Sequence, residues 1–299
     1  MKISTKIFAL SLVLCAVMLF VGLQPCLGQN TVKIDKDTKL GVLKAEAEKD
    51  NPDAQCWLAI CYEIGLQDCN IDKPKAEELF SKAAKHANEK LATVQYSKAV
   101  CYANGYGIVK TKDLEKAVEW YRKAAEQKFA PAQTMLGVCY TEGNGVDRNP
   151  TEAVNWVRKA TEQGYLDAQY HMGTFYMGGK GVDRDPKDAV KWFRKAAEQG
   201  HASARYILGI CYTLSKDIDR DPKEAIKWFR KAAEQEHASA QCKLGIFYIL
   251  GEDVPQDFEE AKKWLYKAAK QGDATATKVL KQLRDMEDME NHLQKRRLF

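Results

Sequence analysis

The nineteen residues at 182–200, VDRDPKDAVKWFRKAAEQG, return almost unchanged at 218–236 as IDRDPKEAIKWFRKAAEQE. A catalytic constellation is needed once, whereas units that stack on copies of themselves need the same packing surface every time. Tryptophan keeps the same beat. Trp120, Trp156, Trp192, Trp228 and Trp264 stand 36 residues apart, and Leu79 fills the slot in an earlier unit. The chain is therefore constrained to an array of like units and not to one closed core.

Each unit predicts two helices. Seven residues before the tryptophan slot comes Asp72, Asp113, Asn149, Asp185, Asp221 or Asp257, whose short side-chain oxygen suits a helix N-cap. Pro150, Pro186 and Pro222 follow directly, where a missing N–H costs nothing. Glu152, Asp188, Glu224 and Glu260 lie three residues beyond the cap, in capping-box positions. Apolar residues then recur on one helical face, as in Ala189, Trp192, Phe193, Ala196 and Ala197. Gly164, Gly200 and Gly272 mark the stop; Lys128 and Glu236 replace them in two units, at a cost of about 1 kcal/mol if the left-handed geometry is kept.

The other helix of each unit carries Ala, then Leu or Met, a small residue, and Tyr. Examples are Ala132, Leu136, Gly137 and Tyr140, and then Ala168, Met172, Gly173 and Tyr176. Gly209 with Tyr212 and Gly245 with Tyr248 continue the series, while Ala59 and Ala99 hold the small slot in the first two units. A glycine recurring inside a helix predicts a neighbour too close to admit a side chain. The loops between the helices hold Gly105-Tyr106-Gly107, Gly143-Asn144-Gly145 and Gly178-Gly179-Lys180-Gly181. None follows an apolar strand, so they do not read as phosphate-binding loops.

Together the Ala, Leu-Gly, Tyr and Trp-Lys-Ala-Ala landmarks and the Gly-x-Gly-Val loop resemble Sel-1-like repeats, longer relatives of the tetratricopeptide repeat. The resemblance implies an all-α fold: a right-handed α-solenoid, an α/α superhelix, of six helix-pair repeats at residues 53–273, with first helices lining a concave face. Residues 29–52 would form a linker and capping helix, GVLKAEAEKD covering the first repeat. Residues 274–299 would form a C-terminal cap and charged tail, with Lys281 and Arg284 in the glycine and tyrosine slots.

Residues 1–28 differ in kind. Lys2 and Lys6 precede an apolar run at 7–23 and a small-residue site before Gln29, the layout of a signal peptide; an uncleaved membrane anchor is the alternative. Export then implies the periplasm or secretion in a bacterium and the secretory pathway in a eukaryote, with no membrane span after cleavage. Removing Lys2 and Lys6 from the 46 basic residues leaves 44 against 41 acidic, a balance of +3. With basic residues interleaved among acids, that balance predicts no nucleic-acid partner.

Of nine cysteines, Cys61, Cys101, Cys139 and Cys211 share one slot with Phe175 and Phe247, and Cys56 and Cys242 share another with tyrosines. Exchange with aromatics reads as packing. Cysteine-rich exported relatives bridge the two helices of each repeat, yet no second helix here has a cysteine; Cys61 with Cys69 is the pair to test. Spacing offers no metal site and no cofactor. His201 and His237, in the turns between repeats, read as surface residues, and neither a Gly-x-Ser-x-Gly elbow nor a Ser-x-x-Lys nucleophile occurs.

The expected function is a non-enzymatic scaffold that holds a protein or peptide partner on the concave face. The candidate positions vary between first helices: Tyr170, His171, Thr174, Met177, Arg205, Tyr206, Ile210 and Thr213. The landmarks Trp156, Trp192, Trp228 and Trp264 are structural. The rival readings are a cell-wall-fragment or β-lactam-binding or hydrolysing protein, by analogy with cysteine-rich relatives, and a thiol buffer.

Overall fold

The computed structural model describes residues 36–65, 70–251 and 253–297. The leader at 1–28 and the Cys61–Cys69 question fall on or against residues outside this set. Helix α1 (Lys36–Glu48) precedes the repeats. Six pairs follow: α2 (Pro52–Ile64) and α3 (Lys73–Ala84), α4 (Ala92–Asn104) and α5 (Leu114–Glu126), α6 (Ala130–Glu142) and α7 (Pro150–Glu162). The series continues with α8 (Leu166–Gly178) and α9 (Pro186–Glu198), α10 (Ala202–Leu214) and α11 (Pro222–Glu234), α12 (Ala238–Leu250) and α13 (Phe258–Lys270). Helix α14 (Ala274–Arg297) closes the array. Among the described residues no strand occurs, and no helix is long and apolar enough to cross a membrane.

The second helices start where the sequence says. Asp72, Asp113, Asn149, Asp185, Asp221 and Asp257 each accept from the N–H three residues on, at 2.9–3.2 Å. The expected capping boxes do not close. The cap N–H groups of Asn149, Asp185, Asp221 and Asp257 donate instead to the carbonyls of Tyr140, Tyr176, Tyr212 and Tyr248, which have no partner further along the first helix. Asp188, Glu224 and Glu260 pair with lysines three residues on, exposed contacts of little energetic weight.

That arrangement gives the tyrosine landmark two tasks. Its carbonyl receives the next helix's cap, and its hydroxyl accepts from an arginine of the preceding repeat: Arg122 to Tyr140 at 2.8 Å, Arg230 to Tyr248 at 2.7 Å, and Arg194 to Tyr212. Lysines lie over the tryptophans three residues before them, from 3.8 Å for Lys159 over Trp156 to 4.8 Å for Lys267 over Trp264. Trp192 and Trp228 have Lys195 and Lys231 in the same place. Each contact is worth about 0.5–1 kcal/mol and covers one face of an indole, partly exposed at Trp156, Trp192 and Trp264 and buried at Trp228.

The small slot faces the second helix of its own repeat. A Cβ at Gly173 or Gly209 would lie 2.7 Å from the Phe193 or Phe229 ring, and one at Gly137 or Gly245 would meet Val157 or Leu265. Phe193 and Phe229 are thereby fully buried, each contributing about 1.5–3 kcal/mol of apolar burial. Lys128 and Glu236 keep the left-handed stop at φ +62° and +61°, as Gly164 does at +77°, so two repeats carry that strain.

Leu40, Leu43 and Ala47 of α1 cover Ala54 and Leu58 of the first repeat. At the other end α14 does not fray after its capping turn but runs on to Arg297, with Ala276 and Leu283 buried and Met286 and Met289 exposed. Mixed charge on the solvent side lets the last repeat end against water.

Candidate binding face

The turn before each first helix sets up this face. His201 and His237 are not surface turn residues: His201 is 2% exposed, and each ring caps its helix by accepting on Nδ1 from the N–H of Ala204 or Ala240. Tyr165 and Asp273 hold the same slot elsewhere, so the sequence showed the position but not that a ring nitrogen replaces a carboxylate there. With Nδ1 accepting, His201 carries its proton on Nε2, directed 3.0 Å to Asp167. Tyr170 stacks on His201 at 4.8 Å and Tyr206 on His237 at 4.8 Å. Burial pushes the His237 pKa down to about 4. Neither imidazole has a free lone pair for general-base work.

The eight candidates all sit at intermediate exposure. Tyr170, His171, Thr174 and Met177 lie on α8, and Arg205, Tyr206, Ile210 and Thr213 on α10. Thr174 and Thr213 turn their hydroxyls back onto their own helices, to the carbonyls of His171 and Gly209. Arg205 reaches Ala197 O at 3.0 Å and Gln235 Oε1 at 2.6 Å. His171 lies 3.9 Å from Asp167, and burial holds its pKa below the usual imidazole value. Burial opposes charge on Asp167, but His171 and the His201 hydrogen bond outweigh it and keep that carboxyl below its usual range.

Sequence reasoning missed three participants. Trp57 packs edge-on against Phe129 and Tyr165, at 5.6 and 6.5 Å, so the first repeat touches the starts of the third and fourth first helices. Glu63, at the end of α2, is pushed up to about 7 by burial and by the negative charge of Asp167, with Lys73 opposing. Gln235, 3% exposed, donates 2.7 Å to Gly65 O. No sequence signal pointed to them, because each has a partner more than a hundred residues away: Tyr165 for Trp57, Asp167 for Glu63 and Gly65 for Gln235.

The thiols behave as packing. Cys56, Cys101, Cys139, Cys211 and Cys242 are buried. Burial pushes Cys101, Cys139, Cys211 and Cys242 up to about 11, and Cys56 higher still. Thiols held protonated at neutral pH are poor nucleophiles and poor redox buffers. Among the described residues no group of three metal-ligating side chains assembles.

The Sel1 repeat model matches residues 52–88, 90–129, 130–165, 166–201, 202–237 and 238–273. A Sel1 repeat protein from Oxalobacter formigenes is 31% identical, with a TM-score of 0.54 over 85% of this chain and 83% of its own. A protective antigen of uropathogenic Escherichia coli displaying an SLR fold is 34% identical, with a TM-score of 0.51. That match covers 79% of this chain and 50% of the antigen, so the chain spans about half its length. Six matched units and the geometry of their caps and small slots lead to one conclusion: the chain belongs to the Sel1 repeat family, whose helix-pair solenoids generally serve as scaffolds for protein–protein interaction.

Proposed function

We propose that this protein is an exported, non-enzymatic scaffold that holds a partner protein, or an extended segment of one, along the first helices on the concave side of its solenoid. One observation carries the reading. Between the fourth and fifth repeats the second helices keep their outward residues, Lys187 and Lys223 or Lys191 and Lys227, whereas half-buried positions on the first helices change: His171, Thr174 and Met177 give way to Ile207, Ile210 and Thr213. A surface that varies on a repeating frame is where selectivity for one partner is written. Tyr170, Tyr206, Met177 and Arg205 bring the side-chain types that interface cores favour. Export rests on the layout of residues 1–28, which lie outside the described set.

The test is a pull-down with residues 29–299 beside a variant in which Tyr170, His171, Met177 and Tyr206 are changed to Ala. A protein captured by the unmutated chain and lost by the variant supports the reading. Equal capture by both moves the site off these helices, and capture by neither removes the support for a protein partner.

A further inference from the structure

A ladder of side-chain amides runs through the repeat junctions. Gln127 donates to Gln95 Oε1 at 2.7 Å, Gln163 to Gln133 at 2.7 Å, Gln199 to Gln169 at 2.8 Å and Gln271 to Gln241 at 2.8 Å. In every rung the later glutamine gives the proton and the earlier one receives it. Position 205 breaks the rule. Arginine has five donors and no acceptor, so Gln235 must turn its oxygen toward Arg205, where Nη1 donates at 2.6 Å.

Reversal of that one amide frees its N–H groups for other carbonyls. They reach Gly200 O at 3.0 Å and Gly65 O at 2.7 Å, the latter 170 residues away at the left-handed stop of α2. The Ile71 N–H returns toward Gln235 O at 3.5 Å. At two other rungs the second N–H stays local, as Gln163 shows with Lys159 O and Gln199 with Lys195 O, while Gln127 reaches Lys90 O, 37 residues back and far short of the span from Gln235 to Gly65. The Trp57–Tyr165 contact and the approach of Glu63 to Asp167 belong to the same meeting of the first repeat with the fourth and fifth.

We propose that Arg205 converts Gln235 into a clasp that holds the first repeat on the fifth, so that the chain's own first repeat occupies part of the first-helix face and releases it when the clasp opens. That this contact is autoinhibitory rests on the binding reading above; the clasp itself does not. Gln235→Glu isolates it, because the carboxylate keeps the bond from Arg205 but has no N–H for Gly65 and sets an oxygen against two carbonyls. Hydrogen exchange of peptides spanning residues 61–72 should quicken about five-fold, the loss of roughly one net hydrogen bond, with the junction peptides at Gln95–Gln127 and Gln133–Gln163 unchanged. Arg205→Gln restores the common rung direction and should quicken the same peptides; it decides the matter if the first variant does not fold. Unchanged exchange at 61–72, or an equal rise at all junctions, overturns the clasp. No partner is needed for the readout, so its failure and a failure of the binding reading are separable.

Discussion

Glu63 makes the contact between repeats sensitive to pH, and Glu63→Gln is the perturbation that reveals it. Burial and the Asp167 charge raise its carboxyl from 4.5 to about 7, with Lys73 opposing and Tyr96, Tyr106, Tyr121 and Tyr165 among the groups sensing its charge. A raised acid binds its proton more tightly folded than unfolded. Its contribution is therefore fully present below about pH 4.5 and lost as pH rises through about 7. At roughly 1.4 kcal/mol per unit the loss has a ceiling of about 3 kcal/mol. Residual solvent contact brings the expected value to about 1–2 kcal/mol. Urea unfolding at pH 4.5 and pH 8 measures it: Glu63→Gln should match the parent at the lower pH and exceed it by about 1–2 kcal/mol at the higher. Equal differences at both values, or a variant weaker at pH 8, would refute the reasoning.

Other perturbations address the repeating frame. Gly145→Ala forces a Cβ to within 2.2 Å of Leu114 O at a φ of +69°, and thermal melts should show a loss of about 2–3 kcal/mol. Lys128→Gly relieves left-handed strain and should stabilise by about 0.5–1 kcal/mol in urea titrations, whereas Glu236→Gly also takes the acceptor from the buried Gln241 amide and should give no gain. Asp221→Ala removes the acceptor for the Glu224 N–H and should lower stability by about 1 kcal/mol, followed by circular dichroism.

The frame was legible because every landmark answers to a local cause. Asp185 caps within three residues, and Gly173 meets Phe193 within one repeat, so periodicity alone exposes both. Capping boxes misled because sequence spacing cannot show that the Tyr176 carbonyl already receives the Asp185 N–H. His201 misled because its slot tolerates Tyr165, and nothing local tells a buried ring cap from an exposed turn. The long-range contacts of Glu63 and Gln235 depend on how far each repeat is rotated on the last, a quantity set by summed packing and written at no single residue.

The central claim is that function lies on the first helices. Its most direct measurement places a photoreactive phenylalanine at Tyr170 or Tyr206, and in parallel at Lys187 or Lys223 on the second helices, and maps the adducts formed with the captured partner by mass spectrometry. The account predicts crosslinks to one protein from positions 170 and 206 and none from 187 or 223. Crosslinks arising from 187 and 223 alone would contradict it.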